Sequence, residues 1–423
     1  MSIDKGAAMK LADSDFAADR RARDVRSALG DYWIRVRSGD LGALPAILGL
    51  AGLVVLFTAL RPETFLSERN IANLFTQAMP VTILALGLVF VLLLGEIDLS
   101  AGVASGVCGG VMASLMVDAG QPWYVAVLSA VAAGVVIGTA IGWLVAVVRI
   151  PSFVVTLALF LGLQGITLRL IGQGGTVPVH DDVIVALANK NMPVWLGWLL
   201  AVVTAAGYSA IQLWRWRSQH RRGLASKPVQ LVVAQAGVVS LAILFGTYVL
   251  SIDRAPSPLI TLAGVPWGVP LVGVLVIVAT FVLGRTAYGR HLYAIGGNAE
   301  AARRAGINVT RLRMSVFMIC SGLAAVSGIF AASRLNSVTP DAGAGNTLLF
   351  AVGAAVIGGT SLFGGRGKAR DAILGGLVVS IIANGLGLLG AKAYVNFLIT
   401  GAVLLLAASI DALARRRRAS TGR

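Results

Sequence analysis

Long apolar runs alternate with short polar connections along the whole chain. The runs lie near 44–60, 78–94, 99–117, 123–148, 152–171, 193–214, 229–250, 267–283, 314–332, 347–363, 371–390 and 394–413. Most approach the length of about 20 residues that lets a helix cross a bilayer's hydrocarbon core. None alternates apolar and polar positions as the strand of a membrane barrel would. Helices and closed barrels are the only backbones that satisfy their own hydrogen bonds in lipid, so the pattern predicts an all-α, polytopic transmembrane helix bundle of about 12 apolar segments (10–12). On this reading 1–43 is a polar N-terminal head, 44–413 is the membrane domain and 414–423 is a basic tail.

One connection differs from the rest. Residues 284–313, GRTAYGRHLYAIGGNAEAARRAGINVTRLR, hold six Arg and a single acid between two apolar runs. Asn298 is placed to cap a helix, Glu300 falls in the first turn where the helix dipole favours an anion, and Gly306 offers a C-terminal stop. The signals predict a helix of about two turns, too short to persist in water without packing on something else.

Composition agrees with the pattern: of 423 residues, 57% are hydrophobic, only 13% are charged and 51 are Gly. The formal charge of +16 could point to a polyanion, but its distribution explains it better. With the head placed in the cytoplasm, the connections on that side carry 28 Lys and Arg against 6 on the other. That split is the positive-inside rule, with both termini cytoplasmic and 284–313 on the cytoplasmic face, and it argues against nucleic acid as a partner. Arg169, near the outer end of its run, is expected to snorkel to the interface. The loop 172–192 then faces outward and is long enough to form a small surface feature.

The candidate chemistry is sparse. Cys108 and Cys320 each lie inside an apolar run, where they behave as small hydrophobes rather than as a disulfide or metal framework. His180, His220 and His291 are scattered singly and form no metal or nucleophile constellation. The glycine-rich loop 358–370, GGTSLFGGRGKAR, fails as a P-loop, because Ala369 stands where Ser or Thr would hold magnesium. Gly102, Gly106 and Gly110, and likewise Gly134, Gly138 and Gly142, recur every four residues and give smooth helix faces for close packing.

Leu92 to Gly102, LLLGEIDLSAG, places Glu96 and Asp98 between two apolar runs. Acids at membrane depth are costly unless they face protein or water, which makes Glu96, Asp98 and Ser100 candidates for a translocation path or conformational switch. The same stretch fits a tight cytoplasmic turn in which Asp98 or Ser100 only caps the next helix, or a broken helix whose irregular backbone lines a cavity. An alternative function follows from the acids alone: a proton-coupled secondary transporter using Glu96 and Asp98.

Four motifs, GEIDLS at 95–100, AIGGN..AA..AGI at 294–307, GGTSLFGGRG at 358–367 and NGLGLLG at 384–390, stand in order over 44–413. With the hydropathy profile they resemble the permease subunit of bacterial ABC importers for monosaccharides, most closely the xylose type. The resemblance implies a subunit of the bacterial inner membrane without catalytic activity. It implies a second permease copy, an ATP-binding cassette subunit that carries the ATP and magnesium, and a periplasmic sugar-binding protein; no cofactor is expected on this chain. It also assigns 284–313 to the EAA-type loop that docks on the ATPase, with Asn298, Glu300, Ala301, Ala302, Arg303, Arg304 and Gly306 as the coupling residues. For a neutral sugar, hydroxyl and amide groups such as Ser380 and Asn384 are expected to line the path. The head and the basic segment WRWRSQHRRGLASK at 214–227 receive no role from the resemblance.

Overall fold

The computed structural model describes residues 30, 33–34, 42–222, 228–255 and 261–420. The head of 1–43 and part of 214–227 therefore lie largely outside the described residues.

All twelve apolar runs are helical. Eight are long and apolar enough to cross a membrane: α2 (Glu68–Leu93), α4 (Trp123–Ala146), α5 (Ser152–Ile171), α7 (Val194–Arg221), α8 (Val229–Ser251), α9 (Gly268–Arg285), α12 (Val309–Leu335) and α14 (Ala369–Leu388). Four are shorter: α1 (Leu44–Leu60), α3 (Ala101–Val117), α13 (Thr347–Gly358) and the apolar part of α15 (Ala393–Ser420). Three further helices lie between them: α6 (Asp182–Asn189), α10 (Ala287–Gly297) and α11 (Ala299–Arg304).

Boundaries moved where polar residues extend an apolar run. The run near 78–94 begins ten residues earlier, at Glu68, because Ser67 caps it by accepting from the Asn70 backbone N–H. At the other extreme, α13 stops at Gly358 rather than near 363, since Gly359 adopts a φ of 120° that no helix continues.

The core is built on α12, with α2, α3 and α4 packed around it. Gly134, Gly138 and Gly142 on α4 lie against the backbone of Ser321, Phe317 and Met314 on α12, so this set is a packing ridge. The other set does something else. Gly102 and Gly106 face the backbone of Gly343 and Ala342, in a loop that leaves the far end of α12 and folds back inward, so that Leu348 at the start of α13 lies against Gly102 at the start of α3.

That return sets the depth of two helix beginnings. Between Arg313 and Arg334, α12 carries twenty uncharged residues, about 30 Å at 1.5 Å per residue and the thickness of a hydrocarbon core. Asp98, just before α3, lies against Cys320, about 10 Å inward of Arg313 on the same scale. The amino ends of α3 and α13 therefore meet within the membrane, as discontinuous helices do in many transporters.

The loop 172–192 forms the expected surface feature. Val177–Pro178 (β1) pairs antiparallel with Ser337–Val338 (β2), and α6 is capped by Asp181, whose Oδ1 accepts from Val183 and Ile184 at 2.9 and 3.1 Å. By contrast, α7 and α8 pack mainly on each other and bury little.

Candidate functional site

The 284–313 stretch folds as two helices rather than one. The expected helix is α11: Asn298 Oδ1 accepts from the Ala301 N–H at 2.9 Å, Glu300 lies in its first turn, and Gly306 follows its end with a φ of 83°. Ala302 is buried, while Glu300, Arg303 and Arg304 are exposed, with Glu300 bridging Arg303 at 3.1 Å and Arg304 at 3.4 Å. Ala301 supplies the capped amide, and its carbonyl closes the helix on Ala305.

What sequence reasoning missed is α10. Its signal was present in Thr286, whose Oγ1 accepts from the Gly289 N–H at 3.2 Å as an N-cap. Leu292 and Ile295 of α10 are buried in the main core, and Tyr288 joins Ser315 of α12 at 2.9 Å. The short helix α11 is thus not free-standing, because α10 ties it to the bundle.

At its carboxyl end α10 meets two other backbones. A Cβ at Gly296 would collide with the Leu93 carbonyl and the Gly365 N–H, which are themselves hydrogen-bonded at 2.8 Å. Gly95 and Gly364 complete the junction, with φ values of 74° and 84°. Tyr293 donates to the Gly367 carbonyl at 2.6 Å. Burial pushes the Tyr293 phenol up from its ordinary pKa, and the Asp371 charge adds to this, so it remains a neutral donor. The glycine-rich loop that failed as a P-loop therefore has a structural use: it joins α10 to the end of α2.

From this junction 95–100 runs inward. The stretch combines both readings of its sequence, a glycine turn level with 284–313 followed by an irregular segment that rises to membrane depth. Glu96 Oε1 lies 2.9 Å from Arg313 Nε, a charge contact without hydrogen-bond alignment, and both side chains are half-buried. Asp98 is 1% exposed, and its Oδ1 accepts from both the N–H and the hydroxyl of Ser100, at 2.9 and 2.6 Å. Ser100 occupies the cap position of α3 without a side-chain cap bond, so Asp98 and not Ser100 organises the helix start.

Asp98→Ala is expected to lower stability by about 1–3 kcal/mol, because it strands the buried Ser100 N–H. Asp98→Asn, which keeps an acceptor oxygen, should cost less; thermal unfolding of the two purified variants gives the comparison.

Ser380 and Asn384 are both buried in α14, away from Asp98 in the hydrogen-bond pattern. Asn384 exchanges two hydrogen bonds with Asn70 at 3.0 and 2.9 Å, and Asn70 also donates to the Phe65 carbonyl at 2.9 Å. Asn384 thus fastens the first turn of α2 to the end of α14 farthest from the 284–313 face.

Together, the polar two-helix element fixed to a buried bundle and the eight helices long and apolar enough to cross a membrane define a multi-pass helical membrane protein. Residues 70–408 match the family model described as branched-chain amino acid transport system / permease component. The chain belongs to that family. It is 35% identical over 385 residues to the xylose transport system permease protein of Escherichia coli (strain K12), covering 90% of this chain and 94% of the relative. It is 31% identical over 369 residues to the ribose import permease protein of the same strain, covering 86% and 92%. The D-allose transport system permease protein of that strain is 27% identical over 364 residues, covering 86% and 90%. No solved structure matches the chain.

Proposed function

We propose that this chain is the membrane-spanning permease subunit of an ATP-driven importer for a monosaccharide, with xylose or a closely related sugar as cargo, in the bacterial cytoplasmic membrane. The observation that carries the reading is the near full-length similarity to permeases named for xylose, ribose and allose, in a family otherwise described for branched-chain amino acids. In this reading a second permease copy completes the path, and a periplasmic sugar-binding protein delivers the substrate. ATP and magnesium are held by a separate ATP-binding subunit that docks on α10 and α11.

The geometry suggests how force would pass. Docking needs a stiff connection, because a partner shifts a conformational equilibrium only through unequal contacts with its two states. Here the route is short: α11 to α10, α10 through Gly296 to Leu93 and Gly365, then along 95–100 to Asp98 at the amino ends of α3 and α13. The Glu96–Arg313 pair closes a second link between the same two regions.

The proton-coupled alternative receives less support. Glu96 is engaged by Arg313 and Asp98 by Ser100, so among the described residues the two carboxylates have separate partners. The deciding experiment is uptake of radiolabelled xylose, ribose and allose in proteoliposomes. The permease reading expects uptake only with the ATP-binding and sugar-binding subunits and ATP; uptake by this chain alone under a pH gradient would replace it with the proton-coupled reading.

A further inference from the structure

The segment between β2 and α13, residues 339–346, carries irregular backbone from the outer face to the middle of the membrane. Packing against two helices measures its depth. Gly328 of α12, six residues before Arg334 and so about 9 Å inward of it, lies against the Ser105 carbonyl and the Gly109 N–H of α3. Ala342 lies against Gly106 at that same level, and Gly343 and Leu348 lie against Gly102, about 6 Å deeper along α3. Gly343 and the start of α13 are therefore about 15 Å inward of Arg334, half the thickness of a hydrocarbon core.

What the segment presents at this depth is polar. Asp341 and Gly345 are exposed, and Asn346 and Thr347 are half-buried. Among the described residues, the side chains of Asp341, Asn346 and Thr347 have no hydrogen bond or ion pair, and Asn346 stands at the cap position of α13 without a side-chain cap bond. The three lie close together, because the chain winds through successive tight turns. The Asp341 carbonyl accepts from the Ala344 N–H at 3.0 Å, and the Ala344 carbonyl from the Thr347 N–H at 3.3 Å.

Acyl chains satisfy neither an exposed carboxylate nor irregular backbone, so this face looks onto water or protein. The contrast with a lipid-facing surface is plain on α4, whose exposed large side chains are Trp123, Tyr124, Leu128, Val136 and Trp143. Around a prospective Cβ at Gly345 there is open space. A carboxylate, an amide and a hydroxyl within seven residues supply the mixture of acceptors and donors that sugar hydroxyls take. The buried amide of Asn384, by contrast, is spent on Asn70.

We propose that residues 341–347 wall the outward-opening part of a water-filled translocation path, with Asp341, Asn346 and Thr347 offering hydrogen bonds to sugar hydroxyls. The sugar contacts rest on the importer reading above; the water-filled wall does not.

The test is thiol accessibility in the assembled importer, with a membrane-impermeant methanethiosulfonate added from the outer side. Cys108 and Cys320 are buried and stay in place. Asn346→Cys and Thr347→Cys should react at least about tenfold faster than Val136→Cys, because the thiolate is the reactive form and lipid suppresses it. Val136 is the control because it is 67% exposed on the apolar face of α4. Whichever of xylose, ribose and allose is transported should slow both reactions. Rates no faster than at Val136→Cys would overturn the proposal and assign this face to lipid or to a second copy. Fast rates that no sugar slows, in vesicles whose Val136→Cys importer takes up sugar, would overturn the sugar contacts. Uptake of none of the three sugars by the wild-type importer would instead fault the importer reading and leave the accessibility result standing. Hydrogen exchange on the wild-type chain asks the same question without a substitution. Residues 339–347 should exchange like the exposed turn at 118–122, and protection like that of α4 would overturn the path.

Discussion

Gly296→Val is expected to abolish sugar uptake by the assembled importer while the chain still reaches the membrane. Gly296 is where three backbones meet, and the atoms an added Cβ would strike are the Leu93 carbonyl and the Gly365 N–H, neither of which is the end of a flexible side chain. The Gly365 to Leu93 hydrogen bond would have to lengthen or break, and the end of α10 would have to move away from α2. Overpacking of this kind typically costs about 1–3 kcal/mol, and here the strain falls on a close backbone contact between α10 and the end of α2. Gly297→Val is the control, since nothing lies within 4 Å of a Cβ at that position. With both variants co-reconstituted with the partner subunits, Gly296→Val should lose more than about tenfold in uptake, consistent with a misplacement passed on to a remote site. Equal uptake by the two valine variants would remove the junction from the mechanism.

The features that the sequence made legible are those written in consecutive residues. Apolar runs gave the helices, and Asn298, Glu300 and Gly306 gave α11 almost to the residue, because caps act within one turn. Thr286 marked α10 in the same way, but its helix mixes apolar, basic and glycine positions, and the polar character of the whole stretch concealed it. Features that depend on distant partners were not legible. Glu96 meets Arg313 across more than half the chain, and Asn384 meets Asn70 across 314 residues; neither side chain carries any local sign of its partner. The two glycine sets illustrate the limit well. They share one spacing, yet Gly134, Gly138 and Gly142 receive a helix while Gly102 and Gly106 receive a returning loop, and only the folded chain distinguishes the two. The same holds for Asn384, a buried amide suited by type to a sugar hydroxyl, whose hydrogen bonds the fold gives to Asn70.

The second large effect is expected from Glu300→Ala combined with Gly306→Val, which should uncouple ATP hydrolysis from uptake without unfolding the permease. Neither residue belongs to the core. Glu300 is exposed and among the described residues pairs with Arg303 and Arg304 of its own helix, contacts of a kind that contribute less than about 1 kcal/mol in water. Gly306 has open space around a prospective Cβ, so its substitution acts only through the φ of 83°, which costs an L residue about 1–2 kcal/mol and more for a β-branched one. Removing the acid leaves Arg303 and Arg304 without their partner, and straining the stop frays the last turn of a six-residue helix that has little cooperativity to spare. The bundle beneath, from Ala302 inward, keeps its packing. A docking element altered in this way should leave the partner's basal ATPase rate near wild type while sugar-stimulated hydrolysis and uptake both fall by more than about tenfold. Thermal unfolding of the isolated permease should shift little, and that separates this variant from Gly296→Val, where the strain reaches the buried junction. Full uptake by the double variant would mean that α11 does not carry the contact, and the docking surface would then have to be sought on α10 alone.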